Sequence, residues 1–149
     1  MMFTPNDCFI DSSILIEYNK GTKTKLVSIL TENEQNKCLL NETVLSEFLF
    51  HFLAKTGAKA PLTLKSGNAI MNVFAASNQY KLISFFTFLP NTKELFSLVP
   101  ILMSKYNLLP NDAIILATCK LNGISQLASH YADFIIPCKL EGITLLIEN

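Results

Sequence analysis

Short apolar runs alternate along the chain with longer segments in which apolar residues recur every three or four positions. The first run is Cys8–Ile10, which ends at Asp11, and Ile14, Leu15 and Tyr18 then follow at helical spacing. A change from a short continuous run to helical spacing indicates a buried strand followed by a helix. The opening of the chain therefore predicts a strand, a turn and a helix.

A second strand and helix are predicted next. Residues 37–40 form another short run, and Asn41 is placed to cap a helix that ends at Gly57. The helix is indicated by apolar side chains at helical spacing, namely Val44, Leu45, Phe48, Leu49, Phe52 and Leu53. A less regular helical stretch is predicted after Pro61.

Aromatic residues mark the third predicted strand. Residues 82–89 contain three phenylalanines and are closed by a proline, a composition typical of a strand and its end. Asn91, with Glu94 three residues later, resembles a capping pair for the next helix. Pro100 is predicted to kink or split that helix, which ends near Tyr106.

The last part of the chain predicts one more helix and two strands. Asp112 opens the helix, and Gly123 stands where its C′ residue belongs. Residues 124–129 and 142–147 are the predicted strands, separated by a loop that contains Asp133.

This alternation of strands and helices favours an α/β fold, in which a parallel sheet is covered by helices on both faces. We find no linker-like segment and no internal repeat of solenoid length, and we expect a single domain over residues 1–149. In such sheets, ligands bind beyond the carboxyl ends of the strands.

Composition narrows the function classes. Half of the residues are apolar and 16% are charged, which predicts a surface that meets another protein. The longest stretches without charge, residues 66–80 and 82–92, are shorter than the roughly 20 apolar residues of a membrane-spanning helix. The first residues lack the basic region and apolar core of a secretory signal, so we expect a cytoplasmic location and no membrane contact.

The charge balance and the cysteine spacing argue against a globally basic nucleic-acid-binding surface and against a cysteine zinc site. The chain has 12 basic and 12 acidic residues, so no global positive field indicates nucleic acid, and any such binding requires a local patch. The four cysteines form no C-x-x-C pair, so they are predicted to be reduced core thiols rather than zinc ligands. His51 and His130 are not arranged with a serine or cysteine nucleophile and are predicted to be structural.

Three acids stand at positions where a parallel sheet would bring them together. Asp11 follows the first strand, Glu47 lies inside the second helix, and Asp112 opens a late helix. Each also has a simpler interpretation: a helix cap for Asp11, a surface acid on a polar stripe for Glu47, and a cap or helix-dipole partner for Asp112. Taken together, clustered carboxylates favour a bound cation, and an all-oxygen ligand set favours Mg²⁺ or Mn²⁺.

At this point the sequence resembles the PIN domain family, and in particular its VapC-type toxin ribonucleases. The resemblance is carried by four short segments in the family's order, which are residues 9–16 (FIDSSILI), 43–48 (TVLSEF), 109–118 (LPNDAIILAT) and 123–134 (GISQLASHYADF). Together they run through nearly the whole chain.

The resemblance implies an acidic pocket that binds Mg²⁺ or Mn²⁺ and cleaves RNA internally. Asp11, Glu47 and Asp112 match the family's three main acids. Ser12, Ser13 and Ser129 are placed to hydrogen-bond the acids or a phosphate, or else are plain turn residues. VapC-type proteins also imply a homodimer and a protein antitoxin that blocks the pocket.

The sequence departs from the family pattern at the fourth acid. Many PIN domains carry an acid two residues after the Ser or Thr that ends the late strand, and here that position is Tyr131. Asp133 matches a less critical acid of the same loop, or is a turn residue. The resemblance therefore implies Asp133 as an auxiliary ligand and a site that binds one ion.

Two other functions compete with this interpretation. A PIN-like chain that has lost cleavage would serve as a binding or scaffold module, although acids at all three main positions disfavour it. An aspartyl-phosphate enzyme of the haloacid dehalogenase kind also places an Asp after its first strand. That chemistry requires a second Asp two residues later, where this chain has Ser13.

Overall fold

The computed structural model describes residues 3–148, and within them five short strands form one parallel sheet. The spatial order is β3-β2-β1-β4-β5. The strands are β1 (Cys8–Ile10), β2 (Cys38–Leu40), β3 (Thr87–Phe88), β4 (Gln126–Ala128) and β5 (Thr144–Leu146). The predicted α/β class is confirmed.

Eight α-helices connect the strands in the described chain. They are α1 (Ser12–Lys20), α2 (Lys25–Glu32), α3 (Glu42–Gly57), α4 (Pro61–Ser66), α5 (Ile70–Ala76), α6 (Leu95–Tyr106), α7 (Pro110–Asn122) and α8 (Ile135–Glu141). Helix α1 packs against α3, and α7 packs against α6 and α8. With this strand order, right-handed crossovers, which are the rule for parallel strands, would place α1 to α5 on one face of the sheet and α6 to α8 on the other.

The sheet is buried on both faces, as a parallel sheet requires. Phe9, Leu39 and Leu127, one from each central strand, have no solvent exposure. Helices α1, α3 and α7 cover them with buried Leu, Ile, Val, Phe and Ala side chains. A smaller apolar cluster around Phe52 and Leu64 lies beneath the C-terminal half of α3. The core thus fixes the strand ends rigidly.

The direction in which successive strands are added to the sheet reverses between the neighbouring strands β1 and β4. The chain leaves β1 toward β2 and β3 on one side, and it returns to β4 and β5 on the other. Ile10 pairs with Ala128, and the amide of Asp11 donates to the Ala128 carbonyl at 3.0 Å. A crevice opens beyond the carboxyl ends of strands at such a point, and ligands bind there.

Several helix signals are confirmed. The Asn41 side chain accepts a hydrogen bond from the Val44 amide at 3.1 Å, so it caps α3 as predicted. Gly57 is the last residue of α3, and Tyr106 is the last residue of α6. Gly123 follows α7 with a φ of 64°, a left-handed conformation that glycine adopts without strain.

The strand predicted over residues 82–89 is largely wrong. A 3₁₀ helix occupies Gln79–Phe85, and only Thr87–Phe88 joins the sheet, at its edge. Leu82, Ile83 and Phe86 pack on the core, whereas Phe85 is exposed. Leu82, Ile83 and Phe86, which pack on the core, are one and three positions apart. This spacing is typical of a tight helical turn and not of a strand, in which every second residue is buried.

Two further expectations about helices are wrong, and one is narrowed. Helix α6 has no side-chain cap, and the proposed cap Asn91 instead accepts a hydrogen bond from Asn41 at 3.0 Å. Helix α6 continues through Pro100, so it is not split there, and the kink stays a prediction. Helix α7 begins at Pro110 rather than at Asp112, with a proline at the first position, where its missing N–H is not needed.

The segment predicted as a loop between β4 and β5 is mostly helical. A 3₁₀ turn at Ala132–Phe134 leads into α8, and Pro137 lies in the first turn of that helix. The four cysteines are buried and free, as predicted. Among residues 3–148, no helix is long and apolar enough to cross a membrane, and the cytoplasmic location stays a prediction.

Candidate active site

Asp11 follows β1 directly and is fully buried. Its side chain makes no capping hydrogen bond to α1, so the simpler interpretation as a helix cap is not supported. One carboxylate oxygen, Oδ2, instead accepts hydrogen bonds from Ser13 Oγ at 2.7 Å and from Ser129 Oγ at 2.8 Å. The two serines follow neighbouring strands of the sheet.

Each of these serines is held in turn by the loop after β4. Ser13 Oγ accepts a hydrogen bond from the His130 amide, and Ser129 Oγ accepts one from the Tyr131 amide, both at 3.0 Å. The two hydroxyls therefore direct their protons to the same oxygen of Asp11. The other oxygen, Oδ1, has only a long contact of 3.5 Å to Ser12 Oγ. It retains acceptor capacity toward the crevice.

Glu47 projects from α3 and is half-buried. Its Oε1 is enclosed without a hydrogen-bond partner among residues 3–148. Thr43, one turn earlier, is buried as well, so these positions do not form the solvent-facing polar stripe of the simpler interpretation. A buried carboxylate oxygen without a partner is costly unless a proton or a cation compensates for it.

Asp112 lies in the first turn of α7, where its charge also complements the helix dipole. Asp112, Glu47 and Asp133 line one cleft of about 410 Å³. The remaining lining residues are Leu109, Pro110, Asn111 and Tyr131. Asp133 is exposed, whereas Asp112 is half-buried. The cleft thus carries three acids, and Asp133 stands at its solvent side.

The carboxylates influence one another's protonation. Burial, together with the charges of Asp11 and Asp112, raises the pKa of Glu47 to about 7. Burial and the charges of Asp11 and Asp133 raise the pKa of Asp112 to about 6. Burial also raises the pKa of Asp11, although its hydrogen bonds to Ser13 and Ser129 oppose this shift. The four predicted acids therefore form one electrostatic group.

The side chains are not yet arranged as a coordination sphere. Within residues 3–148, no three His, Cys, Asp or Glu side chains could hold a metal ion in the conformation described. The donor chemistry nevertheless fits a hard divalent ion, because every candidate ligand is a carboxylate oxygen. The unpartnered Glu47 Oε1 and the free acceptor capacity of Asp11 Oδ1 are the two atoms best suited to bind one.

Sequence reasoning missed two residues of the cleft. Asn111, directly before Asp112, lines the cleft, and its side chain opposes the rise in the pKa of Glu47. Tyr131 had been considered only as a missing acid. It lines the cleft, and burial together with the charge of Asp11 raises its pKa. The signal for both was their position beside a predicted ligand.

The raised pKa of Glu47 predicts a pH-dependent stability. The folded pKa of about 7 exceeds the ordinary value of 4.5, so folding is favoured by proton uptake. This contribution is complete below about pH 4.5 and is lost as pH rises through about 7. In EDTA at pH 8, we expect Glu47→Gln to be more stable than the wild type by roughly 1 kcal/mol, after allowing for solvent screening.

Thermal unfolding in EDTA between pH 5 and pH 8 checks this prediction. A gain of this size corresponds to a melting temperature roughly 2–4 °C higher at pH 8, with little difference at pH 5. Glu94→Gln, which neutralises an acid outside the cleft, serves as the matched control and should show no such pH-dependent gain. A Glu47→Gln curve that parallels the wild type would contradict the enclosed position of this carboxylate.

Comparisons with known proteins identify the family that the sequence motifs resemble. The PIN domain family model matches residues 8–135. Ribonuclease VapC2 of Methanocaldococcus jannaschii is 32% identical over 130 residues, which are 87% of this chain and 87% of the relative. The residues matched by the family model, 8–135, contain all four acids.

Two solved structures share the fold. VapBC2 from Rickettsia felis, crystallised with a DNA fragment from its promoter, superposes with a TM-score of 0.61 at 12% identity, covering 95% of this chain and 98% of the other. A toxin-antitoxin complex from Klebsiella pneumoniae gives a TM-score of 0.53 at 19% identity, covering 94% and 96%. At these identities the likeness concerns the fold.

Proposed function

Because the chain belongs to the PIN domain family, we propose that it is a metal-dependent endoribonuclease with Asp11, Glu47, Asp112 and Asp133 as its acidic site. The observation that carries this proposal is the arrangement of Glu47, Asp112 and Asp133 around one cleft, with Asp11 close enough for its charge to raise the pKa values of Glu47 and Asp112. The similarity to ribonuclease VapC2 supports RNA as the substrate.

Asp11, Glu47 and Asp112 are the proposed ligands of one Mg²⁺ or Mn²⁺ ion. When bound, such an ion supplies charge stabilisation to a phosphodiester and lowers the pKa of a coordinated water. Ser13 and Ser129 hold Asp11 Oδ2, which leaves Oδ1 as the oxygen that would bind the ion. Asp133, exposed at the edge of the cleft, acts through water or through its charge. Tyr131 supplies no carboxylate, which favours a single ion.

Binding of the ion should be visible in thermal stability. The cation relieves the repulsion that raises the pKa values of Glu47 and Asp112, and it binds the folded state alone. At an ion concentration about 100 times the Kd, the gain is about 2.7 kcal/mol, or roughly 5–10 °C in melting temperature.

Thermal unfolding of the wild type in millimolar Mn²⁺, compared with EDTA, measures this gain. K⁺ at matched ionic strength separates specific binding from screening, and Ca²⁺ tests whether the site distinguishes between divalent ions. Asp112→Asn should lose most of the gain. The same curve for the wild type in Mn²⁺ and in EDTA would argue against a metal site.

The proposed activity is tested by cleavage of total RNA. We expect fragments in Mg²⁺ or Mn²⁺, none in EDTA, and recovery when the ion is restored in excess. A toxin also predicts that induced expression of the wild type slows the growth of a bacterial host, whereas Asp112→Asn does not. RNA that stays intact with every ion tested would favour the alternative of a non-cutting binding module.

We further propose that the chain acts as the toxin of a toxin–antitoxin pair and forms a homodimer. The toxin-antitoxin complex with the same fold supports the first part. Exposed apolar residues support the second, because Phe85 and Phe96 are 80% and 85% exposed. Phe96 borders an apolar groove of about 550 Å³ beside α6. Phe85 and Phe96 lie in two stretches without charged residues, 82–92 and 95–104.

Self-association is measured by light scattering over a wide range of protein concentration. We expect the wild type to have twice the mass of one chain and Phe96→Ser to shift toward the monomer. Leu62→Ser, which removes an apolar side chain 73% exposed on α4, is the matched control. A wild type that stays monomeric at every concentration would refute the homodimer and leave the antitoxin proposal to its own test.

A further inference from the structure

A second groove, of about 350 Å³, lies beside the acidic cleft. We call it the basic groove. Its lining carries two lysines and two histidines but a single acid: Ser13, Ile16, Glu17, Lys20, Lys23, His51, His130 and Tyr131. In a chain with equal numbers of acidic and basic residues, this is a local concentration of positive charge.

The basic groove adjoins the acidic cleft, because Tyr131 lines both of them. Ser13, which lines the basic groove, also donates a hydrogen bond to Asp11 at 2.7 Å. A ligand in the basic groove would therefore lie next to the acidic site.

The charges of the basic groove are available to a ligand. Lys20 Nζ lies 3.6 Å from Glu17 Oε1, but the Lys20 side chain is still 47% exposed to solvent. Lys23 has a backbone carbonyl, that of Glu148, as its hydrogen-bond partner at 3.4 Å. Glu17 is also hydrogen-bonded by the Thr22 hydroxyl. The acid is thus held in place, while both ammonium groups retain free donors.

Two further features extend the positive track. A neighbouring pocket shares Lys20 and His51 with the basic groove and adds Lys55 at the end of α3. His130 lines the basic groove, and neither of its ring nitrogens has a hydrogen-bond partner among residues 3–148. The track therefore combines fixed positive charge with unused polar groups.

We propose that the basic groove binds backbone phosphates of the single-stranded RNA segment adjacent to the bond cleaved at the acidic cleft, a role that rests on the proposed ribonuclease function. Phosphate binding by lysines supplies affinity without reading sequence. In this arrangement, the acidic cleft would cleave the RNA and the basic groove would bind it. The acidic cleft would repel a phosphate backbone on its own, and the lysines beside it offset that repulsion.

The test is fluorescence anisotropy with a labelled single-stranded RNA of mixed sequence, in EDTA so that cleavage does not interfere. The double variant Lys20→Ala/Lys23→Ala is expected to bind about tenfold more weakly than the wild type. Its plot of log K against log salt should be less steep by about 1.4, since each phosphate contact on a single strand contributes about 0.7. Glu17→Gln, which removes the acid that lines the groove, should tighten binding.

Lys81→Ala/Lys139→Ala is the matched control, because it removes two exposed lysines that line neither the cleft nor the basic groove. Equal affinities and salt slopes for the two double variants would overturn the assignment, as would a wild type that does not bind RNA. In cleavage assays, Lys20→Ala/Lys23→Ala should have a higher KM than the wild type and nearly the same kcat. Groove-dependent binding by a wild type that cleaves no RNA with any ion would refute the nuclease proposal alone.

Discussion

Asp112→Asn is expected to reduce RNA cleavage by more than about 100-fold, beyond the 10- to 100-fold loss typical of residues that only support a ligand. The amide keeps the volume of the side chain but removes the charge that would bind the ion. The side chain does not cap α7, whose N-cap position is Leu109, so the helix should form as before. Gel-based cleavage assays in Mg²⁺ and Mn²⁺ measure the loss.

Two controls keep this result interpretable. Circular dichroism and thermal unfolding in EDTA should show a folded variant that is at least as stable as the wild type, because the raised pKa of Asp112 indicates a destabilising charge. Glu94→Gln should cleave normally, since it removes an acid outside the cleft. Wild-type cleavage by folded Asp112→Asn would remove this residue from the proposed site.

The convergence of the acids could be predicted from the order of the strands and helices along the sequence. Asp11 and Asp112 flank elements that a parallel sheet must bring to one edge, and Glu47 lies on the helix that enters from the neighbouring strand. No distance was needed, because the carboxyl ends of parallel strands share a side. What the pattern did not contain was the hydrogen bonding of the serines, which depends on the β1–β4 pairing of residues more than 110 positions apart.

The fold was harder to predict where local signals and tertiary contacts disagree. Helix α2 was missed because its first amides, at Lys25 and Leu26, are capped by the carboxylate of Glu148 near the other end of the chain. The aromatic run before β3 has strand propensity, but only its last residues find a partner, at the edge strand. Propensity is overridden when the sheet offers no place for the segment.

Helix α8 was missed for the opposite reason. Pro137 and the turn residues before it favoured a loop, yet proline is tolerated in the first turn of a helix because that N–H has no intrahelical partner. The error matters for the site, since Asp133 lies on the 3₁₀ turn directly before this helix. Its position is therefore fixed by a regular element rather than by an open loop, and this allows a definite prediction of its role.

Asp11→Asn and Asp133→Asn, compared side by side, are expected to differ strongly. Asp11 is fully buried, with Oδ2 held by two serines and Oδ1 free for the ion, so its loss should abolish cleavage. Asp133 is exposed and acts on the site through the charge it exerts on Asp112. Water screens that charge, so its removal should reduce cleavage by no more than about tenfold.

Metal dependence and stability separate the two roles further. Asp133→Asn should regain part of its activity at higher Mn²⁺, because it weakens the ion's affinity without removing a direct ligand, whereas Asp11→Asn should not recover. Asp11→Asn should nevertheless be folded in EDTA, since burial raises the pKa of Asp11 and an amide carries no charge to desolvate. Equal losses in the two variants, with no rescue of Asp133→Asn by Mn²⁺, would show that Asp133 binds the ion directly and that the site holds more than Asp11, Glu47 and Asp112.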